Sequence, residues 1–147
     1  MHQGIMGRVS VSEHIARPPK EVHDFLNDFD RYPEWIPFTK EVTSVDRKPG
    51  LVGTVYTERG TGGKSRWEVV EYEPASREVH EGDIGIAKVR IEMTMTPDGT
   101  GTSYQHVIAY RMKIPVLGWV IDKVALGPQM RKGTKQTVAN LKRILES

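Results

Sequence analysis

The chain has 147 residues, no cysteine and a formal net charge of +2 at pH 7. This length suits one domain with a substantial core, and the 37% hydrophobic and 27% charged residues are ordinary for a globular protein. The lack of cysteine excludes disulfides, a thiol nucleophile and cysteine-ligated metal. The small net charge gives no indication of nucleic-acid binding.

Residues 1–7 are predicted to form a flexible tail and residues 8–147 a single domain. The opening MHQGIMG has no apolar signal-peptide core. No apolar run approaches the roughly 18 residues that a membrane span needs. Together with the absence of cysteine, these features favour a cytoplasmic location.

The first elements are a strand over residues 8–16 and a short helix. Pro18 and Pro19 suit the first helical turn, where N–H groups have no partner within the helix. An apolar stripe at helical spacing follows, made of Val22, Phe25, Leu26 and Phe29.

A second short turn lies between Pro33 and Pro37, because each proline biases the preceding residue toward extended backbone. This hook of residues 30–37 presents Trp35 and Ile36. Two interpretations remain open: these side chains close one end of the core, or Trp35 stands at the rim of a cavity.

Six further strands are predicted, over residues 39–47, 51–59, 64–73, 77–83, 86–96 and 102–114. Short turns join them, so each can pair antiparallel with its neighbour. The glycine-rich segments 60–63 and 99–101 are hairpin tips, since neither has the sequence context of a phosphate-binding loop.

Residues 115–146 keep a helical apolar period for about eight turns. Gly127 and Pro128 interrupt it, because Pro128 cannot donate a backbone hydrogen bond, and a kink or a break is expected there. A long helix with one apolar stripe needs a surface to cover, and a curved sheet is the available partner. The expected fold class is therefore α+β, with about seven antiparallel strands curved around a long C-terminal helix.

Strand alternation predicts which side chains face that helix. In the sixth strand these are Ala87, Val89, Ile91, Met93 and Met95. In the seventh they are Tyr104, His106, Ile108, Tyr110 and Met112. In the third and fourth they are Thr54, Tyr56, Glu58, Trp67, Val69 and Glu71.

This inward set is unusually polar for a core. Buried polar groups must be hydrogen-bonded or hydrated, so the pattern predicts a cavity in which they meet a ligand. Met93, Met95 and Met130 would supply adaptable apolar walls. A lone histidine such as His106 is more often a satisfied interior residue than a catalyst, and each tyrosine can equally bond a backbone carbonyl.

The chain resembles the START-like superfamily, in particular its polyketide cyclase/dehydrase and lipid-transport branch with the helix-grip fold. The similarity covers residues 8–146. It is carried by Ile15 to Pro19 with Glu21 and Val22, by Asp30 to Pro37, by Trp67 to Pro74, by Gly101 and Thr102, and by Asn140 to Glu146.

These motifs characterise the scaffold and do not specify the ligand. The resemblance implies a deep pocket between the sheet and the last helix. Members bind lipids, polyketides, quinones, hormones and related hydrophobic molecules, and some catalyse ring closure or dehydration. Gly127 and Pro128 in the last helix depart from the family pattern. They are expected to alter the mouth of the pocket, so the pocket residues on this helix are the least certain to carry over.

The first functional hypothesis is binding of a hydrophobic, ring-containing small molecule such as a lipid, polyketide or quinone, without a cofactor. The candidate ligand-binding residues are Trp35, Tyr56, Glu58, Trp67, Met93, Met95, Tyr104, His106, Tyr110 and Met130.

A second hypothesis is a cyclase or dehydrase acting in the same cavity. Such chemistry needs a base beside a carbonyl and a donor for the developing oxyanion. His106 or Glu71 is the candidate base, and Tyr110 or Tyr56 the candidate donor. The five histidines show no HxH or HExxH spacing, so no metal site is expected.

A third hypothesis is a protein or ribosome interaction module. Its support is the basic end of the last helix, which contains Arg131, Lys132, Lys135, Lys142 and Arg143. Basic side chains also complement the dipole of a helix C-terminus, so a solvated face explains them more simply. No nucleic-acid partner is expected.

Overall fold

Seven strands form one curved antiparallel sheet, seen in a computed structural model that describes residues 7–147. The strands are β1 (Gly7–Ile15), β2 (Thr39–Asp46), β3 (Val55–Gly60), β4 (Gly63–Glu73), β5 (Arg77–Asp83), β6 (Ala87–Asp98) and β7 (Gly101–Met112). Of the tail predicted over residues 1–7, only Gly7 falls within the described range, where it begins β1.

The order of strands across the sheet is β1-β7-β6-β5-β4-β3-β2. Hairpins connect β2 through β7 in succession, and β1 joins by pairing with β7. Consecutive strands β1 and β2 therefore occupy opposite edges, and the helical segment between them spans the width of the sheet. The predicted helix-grip α+β architecture is confirmed.

The helical elements are α1 (Pro19–Leu26), a 3-10 turn (Phe29–Arg31), α2 (Tyr32–Trp35), α3 (Pro115–Ile121), a π-helical turn (Asp122–Leu126) and α4 (Gly127–Glu146). Helix α1 is shorter than its apolar stripe predicts. Asn27 ends it, since its backbone N–H and its side-chain Nδ2 both donate to the carbonyl of His23. Phe29 is buried from the separate 3-10 turn.

The strand β3 begins four residues later than predicted. Gly50, Leu51 and Gly53 all have positive φ, at 72°, 66° and 87°, so the chain turns through this segment before it becomes extended. Leu51 is nevertheless buried in the core.

The interruption at Gly127 and Pro128 takes the form of a π-helical turn, and the helical path continues through it. Pro128 is the second residue of α4, where its missing N–H costs little because the π turn displaces the hydrogen-bond register just before it. Helix α4 then runs without interruption to Glu146.

The buried stripe of α4 packs mainly on β1, with further contacts to α2 and β7. Leu141 has no exposed surface, and Asn140 donates through Nδ2 to the backbone oxygen of Trp35. The helix therefore covers the β1 side of the sheet and fixes the position of α2. The inner faces of β3 to β6 are left for other elements to enclose.

Replacing Leu141 with alanine should lower the free energy of unfolding by about 2–5 kcal/mol, because a fully buried leucine leaves a cavity when it is truncated. The matched substitution Leu117→Ala removes a side chain that is 55% exposed and should change it by no more than about 0.5 kcal/mol. Urea unfolding followed by circular dichroism measures both. Equal effects would contradict the packing described for α4.

Candidate functional site

A cavity of about 270 Å³ lies between the sheet and the start of α4 and is called the main cavity below. Its walls come from α2 and the segment after it, from β3, β4, β6 and β7, and from the beginning of α4. Its buried lining includes Tyr32, Tyr56, Trp67, Val89, Ile108, Leu126 and Met130.

The solvent side of the main cavity is formed by two turns and one helix end. These are the β3–β4 hairpin, the β5–β6 loop with Ile84 and Ile86, and Gln129 of α4. Glycine permits both turns, since Gly63 and Gly85 have φ of 101° and 94°. We call this side the mouth.

A smaller space of about 50 Å³, called the inner chamber, lies beyond the main cavity. Both spaces share Tyr32, Ile36, Phe38, Tyr56, Ile91 and Ile108 as lining residues. The inner chamber adds Trp35, His80, Met93, His106 and Thr137. The imidazoles of His80 and His106 therefore line the inner chamber and not the main cavity.

Four polar side chains form a chain of hydrogen bonds that ends at the cavity wall. Asn27 donates through Nδ2 to Oε1 of Glu78 at 2.5 Å, and Nε2 of His80 lies 3.0 Å from Oε2 of Glu78. The hydroxyl of Tyr56 lies 2.7 Å from Nδ1 of His80. Glu78, His80 and Tyr56 are each at most 3% exposed. We call these last three residues the Glu78 chain.

Aromatic contacts fix the end of the Glu78 chain. The ring of Tyr56 stacks on Phe29, with centroids 5.0 Å apart, and meets Tyr32 edge to face at 5.5 Å. Burial raises the pKa of Tyr56 well above its ordinary value of 10, so the phenol is neutral. It therefore keeps a proton to donate.

His106 forms a second polar pair at the inner chamber. The hydroxyl of Tyr104 lies 2.7 Å from Nδ1 of His106. Burial, followed by the neighbouring His80, lowers the pKa of His106 from 6.5 to about 4. His106 is therefore a neutral imidazole at pH 7.

Glu58 places a carboxyl group on the wall of the main cavity. Burial raises its pKa above the ordinary 4.5, although hydrogen bonds from neighbours, with Thr39 the largest of them, act in the opposite direction. Oγ1 of Thr39 donates to Oε2 of Glu58 at 3.0 Å. The site thus offers a polar contact beside the indole of Trp67.

The sequence profile of the family described as polyketide cyclase / dehydrase and lipid transport matches residues 6–146. The chain belongs to this family. The resemblance stated from the motifs is thereby confirmed. No protein of the curated set matches the sequence.

Solved structures share the fold at low identity. The Thermus thermophilus protein TTHA0849 has 17% identity and a TM-score of 0.74, covering 95% of this chain and 97% of that one. StfQ, a di-domain ARO/CYC from the steffimycin biosynthetic pathway, has 15% identity and a TM-score of 0.76, covering 95% and 50%. MLL2253 from Mesorhizobium loti has 20% identity and a TM-score of 0.70, covering 95% and 97%. Such identities show the fold alone.

Most of the residues selected from the sequence border one of the two spaces in this family member. Tyr56, Glu58, Trp67 and Met130 line the main cavity. Trp35, Met93 and His106 line the inner chamber together with Tyr56. Tyr104 lies outside both linings and contacts His106 of the inner chamber through its hydroxyl. Met95 is buried in the core outside both linings.

The prediction that Trp35 stands at the cavity rim is wrong. The side chain is 1% exposed and lines the inner chamber but not the main cavity. Short α2 turns the indole inward, where it packs against Phe25 and Tyr32. This burial agrees with the alternative that the residue closes one end of the core, and a role of Trp35 in ligand binding stays a prediction.

The prediction that Glu71 faces inward is also wrong. The pairing of β4 with β5 shifts register between Val69 and Glu71, so the following residues change face. Glu71 forms ion pairs with Arg77 and Arg90, and these hydrogen bonds lower the pKa of its carboxyl. It lies on the outer face, away from the cavity.

Tyr110 also lies away from both spaces, although its inward orientation is as predicted. Its hydroxyl donates to Oδ1 of Asp122 in the π-helical turn. Burial, followed by Asp122, raises the pKa of this phenol. The contact ties the π turn to β7 and uses the proton that an oxyanion donor would need.

Sequence reasoning missed Glu78 and His80. The available signal was their alternation in β5, where Glu78, His80 and Gly82 share the inward face. Gly82 leaves the space that the ring of Trp67 occupies, since a Cβ there would lie 2.3 Å from that ring. Within residues 7–147, no group of three or more potential metal ligands occurs, and no helix is long and apolar enough to span a bilayer.

The neutral state of His106 predicts a pH dependence of stability. An unfolded histidine binds a proton near pH 6.5, whereas the folded His106 does so only near pH 4, so between these values the unfolded chain holds more protons. Acidification from pH 6.5 to pH 4 should therefore remove up to about 3 kcal/mol of unfolding free energy.

The substitution His106→Gln should abolish this contribution while retaining a polar side chain. Urea unfolding of both proteins at half-unit steps between pH 4 and pH 7.5 measures the difference. The wild type should lose stability more steeply on acidification than the variant. Parallel curves would contradict a buried neutral His106.

Proposed function

We propose that the protein binds a hydrophobic, ring-containing small molecule in the main cavity, with one end of the ligand in the inner chamber. The main observation is a cavity of about 270 Å³ with predominantly apolar and aromatic walls. Apolar and aromatic linings of this kind are typical of small-molecule sites, whose volumes begin at about 300 Å³. Membership of a family described by cyclases and lipid transport supports the same function.

The aromatic walls favour a ring. Trp67 and Tyr32 line the main cavity, and Phe38 borders both spaces. Flat side chains of this kind stack on or meet the edges of a bound ring system. Glu58 and the hydroxyl of Tyr56 supply the few polar contacts that orient such a ligand.

The mouth supports entry of an apolar molecule. Ile86 lines it and is 46% exposed, and its backbone oxygen accepts from the N–H of Lys113, next to the exposed Ile114. Val124, shortly before Leu126 in the chain, is also exposed. These exposed apolar side chains could contact a hydrophobic ligand before it enters the main cavity.

A second candidate function is an acid–base enzyme of the cyclase or dehydrase kind that uses the same cavity. The observation that favours it is the inner chamber, where Tyr56, His80 and His106 meet. Buried titratable groups at the end of a pocket are typical of catalytic sites. Two of the similar solved structures, StfQ and BexL, are named as di-domain ARO/CYC proteins.

The ligand-binding proposal is tested with N-phenyl-1-naphthylamine, a neutral ring compound whose fluorescence rises in apolar surroundings. We expect saturable binding to the wild type and at least a tenfold loss of affinity in Ile108→Trp, because the indole would occupy the space that both chambers share. Fluorescence titration measures both.

The matched control is Ile114→Trp, which places the same side chain at a position that is 57% exposed. It should retain wild-type affinity, and circular dichroism checks that both variants are folded. Failure of the wild type to bind, or equal binding by both variants, would refute a ligand site in the main cavity.

A further inference from the structure

We propose that the protein docks on an anionic lipid surface through a cluster of exposed apolar side chains beside the mouth. The cluster, called the docking face below, consists of Ile86, Ile114, Leu117, Trp119, Val120 and Val124. Apart from Ile86, these residues lie outside both cavity linings. Docking through this face therefore does not depend on whether a ligand binds in the main cavity.

Exposed apolar side chains are concentrated in this region. In the part of the chain that the structure describes, every exposed large apolar side chain except Val52 belongs to the docking face. Val124 is the most exposed of them, at 74%. Exposed apolar patches on a globular domain are typical of surfaces that contact another protein or a membrane.

Helical spacing gathers these side chains on one surface. Leu117, Val120 and Val124 follow each other at intervals of three and four residues, so they lie on the same side of α3 and the π-helical turn. The β5–β6 loop adjoins the start of α3, since the backbone oxygen of Ile86 accepts from the N–H of Lys113. The docking face therefore extends from the helix to the mouth.

Contacts with β7 keep the docking face toward solvent. Gly118 packs against Met112, because a Cβ at Gly118 would lie 2.6 Å from the Cβ of Met112. One turn later, Asp122 accepts a hydrogen bond from Tyr110, and after a further turn Leu126 is buried. These contacts fix the inward side of the helix. The opposite, apolar side cannot turn inward without breaking them.

The charge of this region is complementary to an anionic surface. The basic residues of segment 113–135 are Lys113, Lys123, Arg131, Lys132 and Lys135. The only acidic residue of the segment is Asp122, which is buried and bonded to Tyr110. Lys113 pairs with Asp83 of β5. Basic side chains beside an exposed apolar helix face are typical of helices that lie on anionic membranes.

A second copy of the chain would fit this face less well. In a symmetric pair, Lys123 would approach the same cations of the other copy, and segment 113–135 has no exposed carboxylate to pair with them. A bilayer surface satisfies both parts of the face. Its anionic headgroups pair with the cations, and the hydrocarbon beneath them receives the apolar side chains.

Trp119 and Lys123 are suited to the boundary between these two layers. Nζ of Lys123 lies 6.0 Å from the centroid of the Trp119 ring. Tryptophan favours the level of the headgroups, and lysine places its stem in an apolar layer while its charge stays in water. We therefore expect Trp119 to enter the lipid surface when the protein docks.

Basic residues also flank the mouth itself. Lys64 lines it in the β3–β4 hairpin, and Lys132 follows the mouth residue Gln129 by three positions on α4. Docking through the adjoining face would thus turn the mouth toward the bilayer, where apolar compounds are concentrated.

The test is sedimentation with phosphatidylcholine vesicles that contain about 30% phosphatidylserine. The wild type should bind them saturably and bind pure phosphatidylcholine vesicles at least about tenfold more weakly. Val124→Glu should lower the affinity for the anionic vesicles at least about tenfold, because it places a carboxylate on the side that meets lipid. The matched control is Val52→Glu, which makes the same change at an exposed position between β2 and β3.

The electrostatic contribution has its own pair of variants. Lys123→Gln should weaken binding to the anionic vesicles about fivefold, the contribution typical of one lysine near such a surface. Lys20→Gln is the control and should retain wild-type affinity. Lys20 is exposed on α1, and His23 of that helix contacts Tyr72 beside the β4–β5 turn, at the opposite end of the sheet from the mouth.

Tryptophan emission reports whether the face enters the lipid. Trp119 is exposed, whereas Trp35 and Trp67 are buried, so quenching by brominated phosphatidylcholine in the vesicles measures Trp119 alone. We expect part of the emission of the bound wild type to be quenched. The quenched part should be missing from Trp119→Phe.

The outcomes decide between the possible partners. Saturable binding with quenching, lost in Val124→Glu and retained in Val52→Glu, supports the proposal, with circular dichroism showing that both variants are folded. Failure of the wild type to bind the anionic vesicles, binding without quenching, or equal losses in both variants would overturn it. Self-association that Val124→Glu abolishes, without vesicle binding, would assign the face to a second copy. Because no ligand enters these measurements, failure of N-phenyl-1-naphthylamine to bind would contradict the proposed function alone.

Discussion

The packing of α4 on the β1 side of the sheet is the interaction on which the cavity depends. Its buried stripe packs on β1, and Asn140 donates to the backbone oxygen of Trp35, so α2 is held over the inner face. Because the helix covers only one side of the sheet, the inward faces of β3 to β6 curve around a space that α4 does not fill. The main cavity and the inner chamber are this remaining space.

That geometry also explains why polar residues are tolerated inside. An inward side chain opposite α4 must pack against helix atoms, and there the core is made of residues such as Leu141 and Val138. An inward side chain on β3 or β5 faces a space, so a polar group can remain if neighbours satisfy it. Glu78 and His80 meet this condition through hydrogen bonds within the core. Glu58 meets it at the cavity wall with Thr39.

The sequence predicted the sheet, the long helix and the inward faces of β6 and β7 because regular alternation directly encodes a strand's two faces. It misplaced Glu71 because one extra residue in β4 reverses that alternation, and no turn residue marks the shift. The Glu78 chain could not be derived, since its members and their partner Asn27 come from β3, β5 and the end of α1 and become neighbours only when the strand order is known. The burial of Trp35 could not be predicted either, because it depends on how the four-residue helix α2 is oriented relative to the sheet.

Two polar pairs contribute a histidine to the inner chamber, Tyr104 with His106 and Tyr56 with His80. They differ in how many elements of the fold must come together to form them. Tyr104 and His106 are two residues apart on one strand, so any strand that places a tyrosine and a histidine on the same face can bring them together. The contact between Tyr56 and His80 instead requires two strands separated by β4. The buried carboxylate adds a third requirement, a partner at the end of α1. An arrangement that needs several elements and the burial of a carboxyl group is less readily explained by strand geometry than the contact between Tyr104 and His106 is.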